Sequence, residues 1–103
     1  KQMVYTARNI KADEALRIGL VNAVYPLAEL YAAAEKLASQ IAANAPIAVR
    51  AAKKAINEGL DLPMDEAVVV EEKAFGSCFE TADQQEGMGA FLEKRKHEPF
   101  TNK

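Results

Sequence analysis

The acidic pair Glu71-Glu72 is the first feature that invites a chemical reading, as a general acid and base. Neighbours on a helix point about 100° apart, so the two carboxyls cannot flank one substrate atom. The expectation is a solvated helix face. Glu14, Glu58, Glu66, Glu86 and Glu93 fall in helix caps or on polar arcs, beside no motif for catalysis. His97 is the only histidine; near a helix C-terminus its charge complements the dipole. With no Cys or His nearby, it is not expected to bind a metal. Cys78 shares an apolar arc with Ala74 and Phe75 and is expected to be a buried, inert thiol. Lys94-Arg95-Lys96 is a basic cluster at the end of a helix. It can complement the dipole and aid solubility, or it can contact a ligand phosphate. Gly87 and Gly89 lie inside the same predicted helix, each costing about 1 kcal/mol relative to Ala, and suggest close approach by a backbone or a ligand, the alternative being a kink or a late helix start.

Helices must position these residues. Lys1–Tyr5 carries no cap or turn signal, and Thr6–Ile10 reads as a loop. A short helix is predicted over Lys11–Ile18, with Asp13 and Glu14 in its first turn and Gly19 placed to end it in a left-handed conformation. Leu20–Tyr25 reads as a short β-stretch closed by Pro26, which would need a partner strand from elsewhere. Leu27–Asn44 has an apolar stripe of Leu27, Leu30, Ala34, Leu37 and Ile41. Pro46 breaks it, and a helix over Pro46–Glu58 follows. Pro63 starts another over Met64–Phe79, whose Val68-Val69-Val70 run widens the apolar arc, so more than one side is expected to be covered. Thr81 and Gln84 fit a capping box for a last helix running to about Lys96, with Met88, Phe91, Leu92 and Arg95 on one stripe. His97–Lys103 reads as a polar tail.

Composition narrows the classes. The chain has 103 residues, at most one domain, with 50% hydrophobic and 27% charged residues, as in ordinary globular proteins. A net charge of −2 and the absence of Trp speak against nucleic acid or an anionic membrane as partner. One cysteine allows no disulfide framework and no thiolate metal cluster, and fits a cytoplasmic location. No apolar run approaches the roughly 20 residues that span a bilayer, and no signal-peptide pattern is visible. The chain opens at Lys1 without Met, and the expectation is a piece of something longer.

Three stretches carry a resemblance. Ala15–Val24 resembles the "A-x-x-x-G-L-V-x-x-V" segment of the enoyl-CoA hydratase (crotonase) family. Asn44–Val49 resembles its "N-(S/A)-P-x-A" helix break, and Glu86–Lys96 its "E-G-x-x-A-F-x-E-K-R" helix. They occur in family order and span essentially the whole chain. Lys1–Leu20 and Phe75–Phe79 are especially similar to the short-chain clostridial type.

The resemblance implies a mainly α fold: residues 1–103 as the C-terminal helical (trimerisation) region of a crotonase-fold enzyme, with one short β-stretch. It implies a parent enzyme that reversibly hydrates short trans-2-enoyl-CoA thioesters, with acyl-CoA as substrate and no cofactor. Two catalytic glutamates and two backbone N–H groups of an oxyanion hole would lie upstream of Lys1, leaving no catalytic residue in this chain. It assigns CoA binding to Lys94, near the adenosine phosphate region, and to Phe91, lining a pocket. Its partners would be further copies, as trimers or paired trimers. Enoyl-CoA isomerisation and dihydroxynaphthoyl-CoA synthesis run on the same scaffold, and a non-catalytic self-association module is the alternative from another class.

Overall fold

The computed structural model describes residues 1–103 and contains six helices and no strand. They are α1 (Gln2–Thr6), α2 (Ala12–Arg17), α3 (Leu27–Ala42), α4 (Pro46–Gly59), α5 (Met64–Cys78) and α6 (Ala82–Leu92). The chain divides into two compact units, Lys1–Leu37 and Ala38–Lys103, with the division inside α3.

In the first unit, α1 forms where no helix signal was legible. It is a single turn closed by the Tyr5 amide on the Lys1 carbonyl, with Ala7 left-handed behind it. Arg8 then forks onto Glu14, Nη2 to Oε1 at 2.7 Å and Nη1 to Oε2 at 3.3 Å, which raises the guanidinium pKa. Glu14 is therefore more than a first-turn charge. Helix α2 ends as predicted on Gly19, at φ 74°. The Leu20 amide reaches the Ala15 carbonyl at 2.9 Å and the Gly19 amide the Leu16 carbonyl at 3.1 Å, the pair of bonds of a Schellman motif.

That motif overturns the expected β-stretch. Leu20 and Val21 both turn their amides back to the Ala15 carbonyl, so the start of Leu20–Tyr25 belongs to a helix cap, and no segment of the chain pairs with the rest. In α3 the predicted stripe is present but uncovered: Leu30, Leu37 and Ile41 are about half exposed and Leu27 more so.

In the second unit, α4 and α5 form a hairpin around Gly59. A Cβ at that position would stand 3.3 Å from the Ala67 Cβ, tighter than ordinary contact. Pro46 opens α4 and Pro63 precedes α5, as expected from their fixed φ. An apolar groove of about 780 Å³ runs between α4, α5 and α6, lined among others by Ala51, Ala55, Val68, Phe75, Met88 and Phe100. The wide apolar arc of α5 is not covered within this chain, since Val68, Val69 and Phe75 remain exposed. Cys78 borders the groove half-buried rather than fully buried, with its Sγ–H toward the Ala74 carbonyl at 3.3 Å. The buried residues of the chain are Ala15, Ala90 and Asp83.

The capping box of α6 is half realised. Thr81 Oγ1 accepts from the Gln84 amide at 3.1 Å. The Thr81 amide is taken by the Cys78 carbonyl rather than by Gln84. Helix α6 stops at Leu92, not near Lys96, because Lys94 turns left-handed at φ 54°. Left-handed backbone costs a residue with a Cβ about 1–2 kcal/mol.

Candidate functional site

The end of α6 is built by the second Schellman motif of the molecule. The Arg95 amide reaches the Ala90 carbonyl at 3.0 Å, and the Lys94 amide reaches the Phe91 carbonyl at 3.2 Å. The two residues singled out as a ligand pair, Lys94 and Phe91, are thus joined by a backbone hydrogen bond at one helix end. Both side chains are exposed, Phe91 at 77%, beside Leu92 at 73%. A charged ammonium and exposed apolar side chains borne by one helix end suit a ligand with both a phosphate and a flat or apolar part.

The side chain of Arg95 reverses along α6 instead of extending its apolar stripe, which corrects the sequence expectation. Its Nη1 and Nη2 meet Glu86 Oε1 and Oε2 at 2.6 and 3.0 Å, a two-pronged pair. Its Nε donates to Glu93 Oε2 at 2.6 Å, and Nη1 also reaches the Lys96 carbonyl at 3.3 Å. The Glu98 amide donates to Glu86 Oε1 at 2.8 Å. Arg95 above all, and then the Glu98 amide, hold the Glu86 carboxyl down at about 2, from an ordinary 4.5. The Arg95 pKa rises in turn, mainly through its bond to Glu86 and then that to Glu93.

The last seven residues are an ordered strap. Asp83, almost fully buried, takes the Thr101 amide at 2.6 Å, the Thr101 hydroxyl at 3.1 Å and the Asn102 amide at 2.9 Å. Its burial pushes the pKa up, but the hydrogen bonds from Thr101 and Asn102 outweigh it, and the net shift is downward. The Lys103 carbonyl accepts from the Ala82 amide at 2.8 Å, so it serves a donor at the start of α6. Arg50 of α4 adds a bond to Asn102 at 2.6 Å.

His97 does not sit at a helix terminus, since α6 ends five residues earlier. Its ring stacks on Phe100 with centroids 4.3 Å apart, and Nδ1 bonds the Glu98 carbonyl at 2.8 Å. The approach expected at Gly87 and Gly89 comes from side chains. Phe100 lies 3.8 Å from a Cβ placed at Gly87, and Arg95 Nη2 lies 3.8 Å from one at Gly89. These are ordinary contact distances, so neither site demands glycine.

Sequence reasoning missed Glu86, Arg95 and Asp83 as partners. Glu86 and Arg95 are nine apart, a spacing with no helical meaning. They meet only because the chain reverses at Lys94. The one legible signal was a cation cluster directly behind an acid, in Glu93-Lys94-Arg95-Lys96.

The fold agrees with that of proteins the chain is similar to. The profile of the family described as enoyl-CoA hydratase/isomerase matches residues 1–103, and the chain belongs to that family. It is 53% identical over 103 residues to a short-chain-enoyl-CoA hydratase of Clostridium acetobutylicum, covering 100% of this chain and 40% of that protein. It is also 53% identical, over 96 residues, to a crotonyl-CoA hydratase of Syntrophomonas wolfei, covering 93% of this chain and 37% of the relative. The crystal structure of an enoyl-CoA hydratase from Bacillus anthracis superposes with a TM-score of 0.93 at 39% identity, over 100% of this chain and 40% of that one. The chain therefore spans about two fifths of the length of these relatives.

Proposed function

We propose that this chain is the C-terminal helical region of a longer enzyme that reversibly hydrates short trans-2-enoyl-CoA thioesters, the crotonyl-CoA/3-hydroxybutyryl-CoA type. The observation that carries this reading is 53% identity along all 103 residues to a short-chain-enoyl-CoA hydratase. The acid–base carboxylates and the oxyanion donors belong to the part of the enzyme outside this chain. Within it, Lys94 contributes its ammonium to a phosphate of CoA, and Phe91 contributes its exposed ring to the same ligand. The coupling of the two at one helix end supports that assignment. The substrate brings the only nucleotide needed, and the enzyme works without a cofactor, in the cytoplasm.

The second role is assembly. Apolar residues on α3 and α5 stand exposed, which supports packing against the rest of the enzyme and against other subunits, as a trimer or paired trimers. No helix is long and apolar enough to cross a membrane, so those faces are not spans.

The test is loss of the enoyl-thioester absorbance when crotonyl-CoA meets the full-length protein. Hydration by the whole enzyme and none by the 103-residue chain alone is the expected result. Shift of a 3-enoyl-CoA double bond without hydration would move the reading to the isomerase side of the family. In the full-length protein, Lys94→Ala is expected to raise KM for the CoA ester more than it lowers kcat; an unchanged KM argues against the phosphate contact.

A further inference from the structure

Lys94 occupies the one position of its cap where glycine is the easy choice. The Gly19 cap makes the same two backbone bonds with a glycine there. A lysine in left-handed backbone therefore needs a reason and a support. The support is visible. The next residue, Arg95, is pinned by three nitrogen–oxygen contacts of 2.6 to 3.0 Å to Glu86 and Glu93, and by a fourth contact to the Lys96 carbonyl. Backbone on both sides of Lys94 is thereby fixed to α6.

The same contacts also sort the charges. Glu86 and Glu93 are the acids of this helix end, and Glu93 directly precedes Lys94. Both carboxylates are engaged by Arg95. The ion pairs of the chain use Arg8, Arg17, Lys54 and Arg95, and none uses Lys94. An ammonium that an adjacent carboxylate would otherwise draw in is left to meet an external anion.

We infer that Arg95, gripped by Glu86, is a positioning residue: it holds Lys94 in its left-handed conformation and keeps the neighbouring carboxylates off the ammonium offered to the CoA phosphate. This rests on the proposed CoA contact of Lys94 and extends it to two residues that touch no ligand themselves. Removing the grip lets the backbone at Lys94 relax and lets Glu93 compete with the phosphate. Binding of the nucleotide part of the substrate weakens, while the chemistry at the thioester is left unchanged.

The experiment compares two substrates in the full-length enzyme: crotonyl-CoA, and crotonyl-pantetheine, which lacks the nucleotide and its phosphates. The quantity read is the ratio of KM for the CoA ester to KM for the pantetheine ester. Lys94→Ala is expected to raise that ratio about tenfold, as for loss of one charged hydrogen bond. Glu86→Gln and Arg95→Lys are each expected to raise it about fivefold, because lysine keeps the charge but loses the fork. A merely structural role would raise both KM values together and leave the ratio alone, which overturns the inference. In the double variant Lys94→Ala/Arg95→Lys, the second change is expected to add little to the ratio; full additivity would also overturn it. A ratio moved by Lys94→Ala but by neither partner variant rejects the positioning role and keeps the CoA contact. A ratio that Lys94→Ala leaves unmoved rejects the CoA contact itself. If Glu86→Gln fails to fold, Arg95→Lys with the double variant decides the matter alone.

Discussion

Helices α2 and α6 end in the same hydrogen-bond pattern by different means. Behind α2 a glycine takes the left-handed position, and the two backbone bonds complete the cap. Behind α6 a lysine takes it, and the cap is accompanied by a guanidinium fork, two carboxylates and a seven-residue strap tied to Asp83. Local backbone freedom is enough for the first. The second stands among contacts that join residues nine and eighteen positions apart. The difference teaches that a left-handed turn can be a property of one residue or of an assembled site, and that the second kind can carry a cation.

The comparison breaks most severely at Asp83. Asp83→Ala removes the acceptor for Thr101 and Asn102, and their amides are expected to exchange on the order of 100-fold faster, while those of Gly19 and Leu20 keep their rate. Hydrogen-exchange mass spectrometry reads both; equal protection before and after would mean the strap is held by other groups.

Acid acts next, and again on one end only. Glu86 is bound as the carboxylate, with a folded pKa of about 2 against an ordinary 4.5. Its contribution is therefore fully present above about pH 4.5 and is lost as pH falls toward 2. Exchange at Glu98 and Arg95 should rise across that window ahead of exchange at Gly19; simultaneous loss at both ends would assign the acid sensitivity elsewhere.

Two substitutions sharpen the contrast at smaller scale. Gly19→Ala places a Cβ at φ 74° and is expected to cost about 1 kcal/mol in urea unfolding, although no atom stands within 4 Å of that Cβ. Lys94→Gly goes the other way, stabilising by about 0.5 kcal/mol, as relief of strain exceeds the added freedom of the unfolded chain. A loss of stability on Lys94→Gly would mean that the lysine side chain itself holds the cap.

Much of the fold was legible because it is periodic or punctuated locally. The Leu30-Leu37-Ile41 stripe, Pro46, Pro63, the Thr81 cap and Gly19 each act within a turn or two of their own position, and each stands where expected. The supposed strand at Leu20–Tyr25 is absent: the helix before it claims the amides of Leu20 and Val21, which residue types alone do not announce. The end of α6 was placed too late because Glu93-Lys94-Arg95-Lys96 are all good helix formers, and nothing in their types announces a reversal. Of the candidate site, Lys94 and Phe91 were singled out through the family motif, and a backbone hydrogen bond joins them. Glu86, Arg95 and Asp83 were invisible because their partners lie at separations with no period.

The sequence by itself determined that α2 to α6 form and where they begin, which faces are apolar and which family the chain belongs to. These follow from short-range propensity, from spacing along the helix and from shared motifs. Tertiary structure alone decided that α6 stops at Leu92, that Arg95 folds back onto Glu86 and that the final residues close on Asp83. Those choices are made by charged groups satisfying one another across a chain reversal, and the energy of such a contact depends on distance in space, which residue order does not encode.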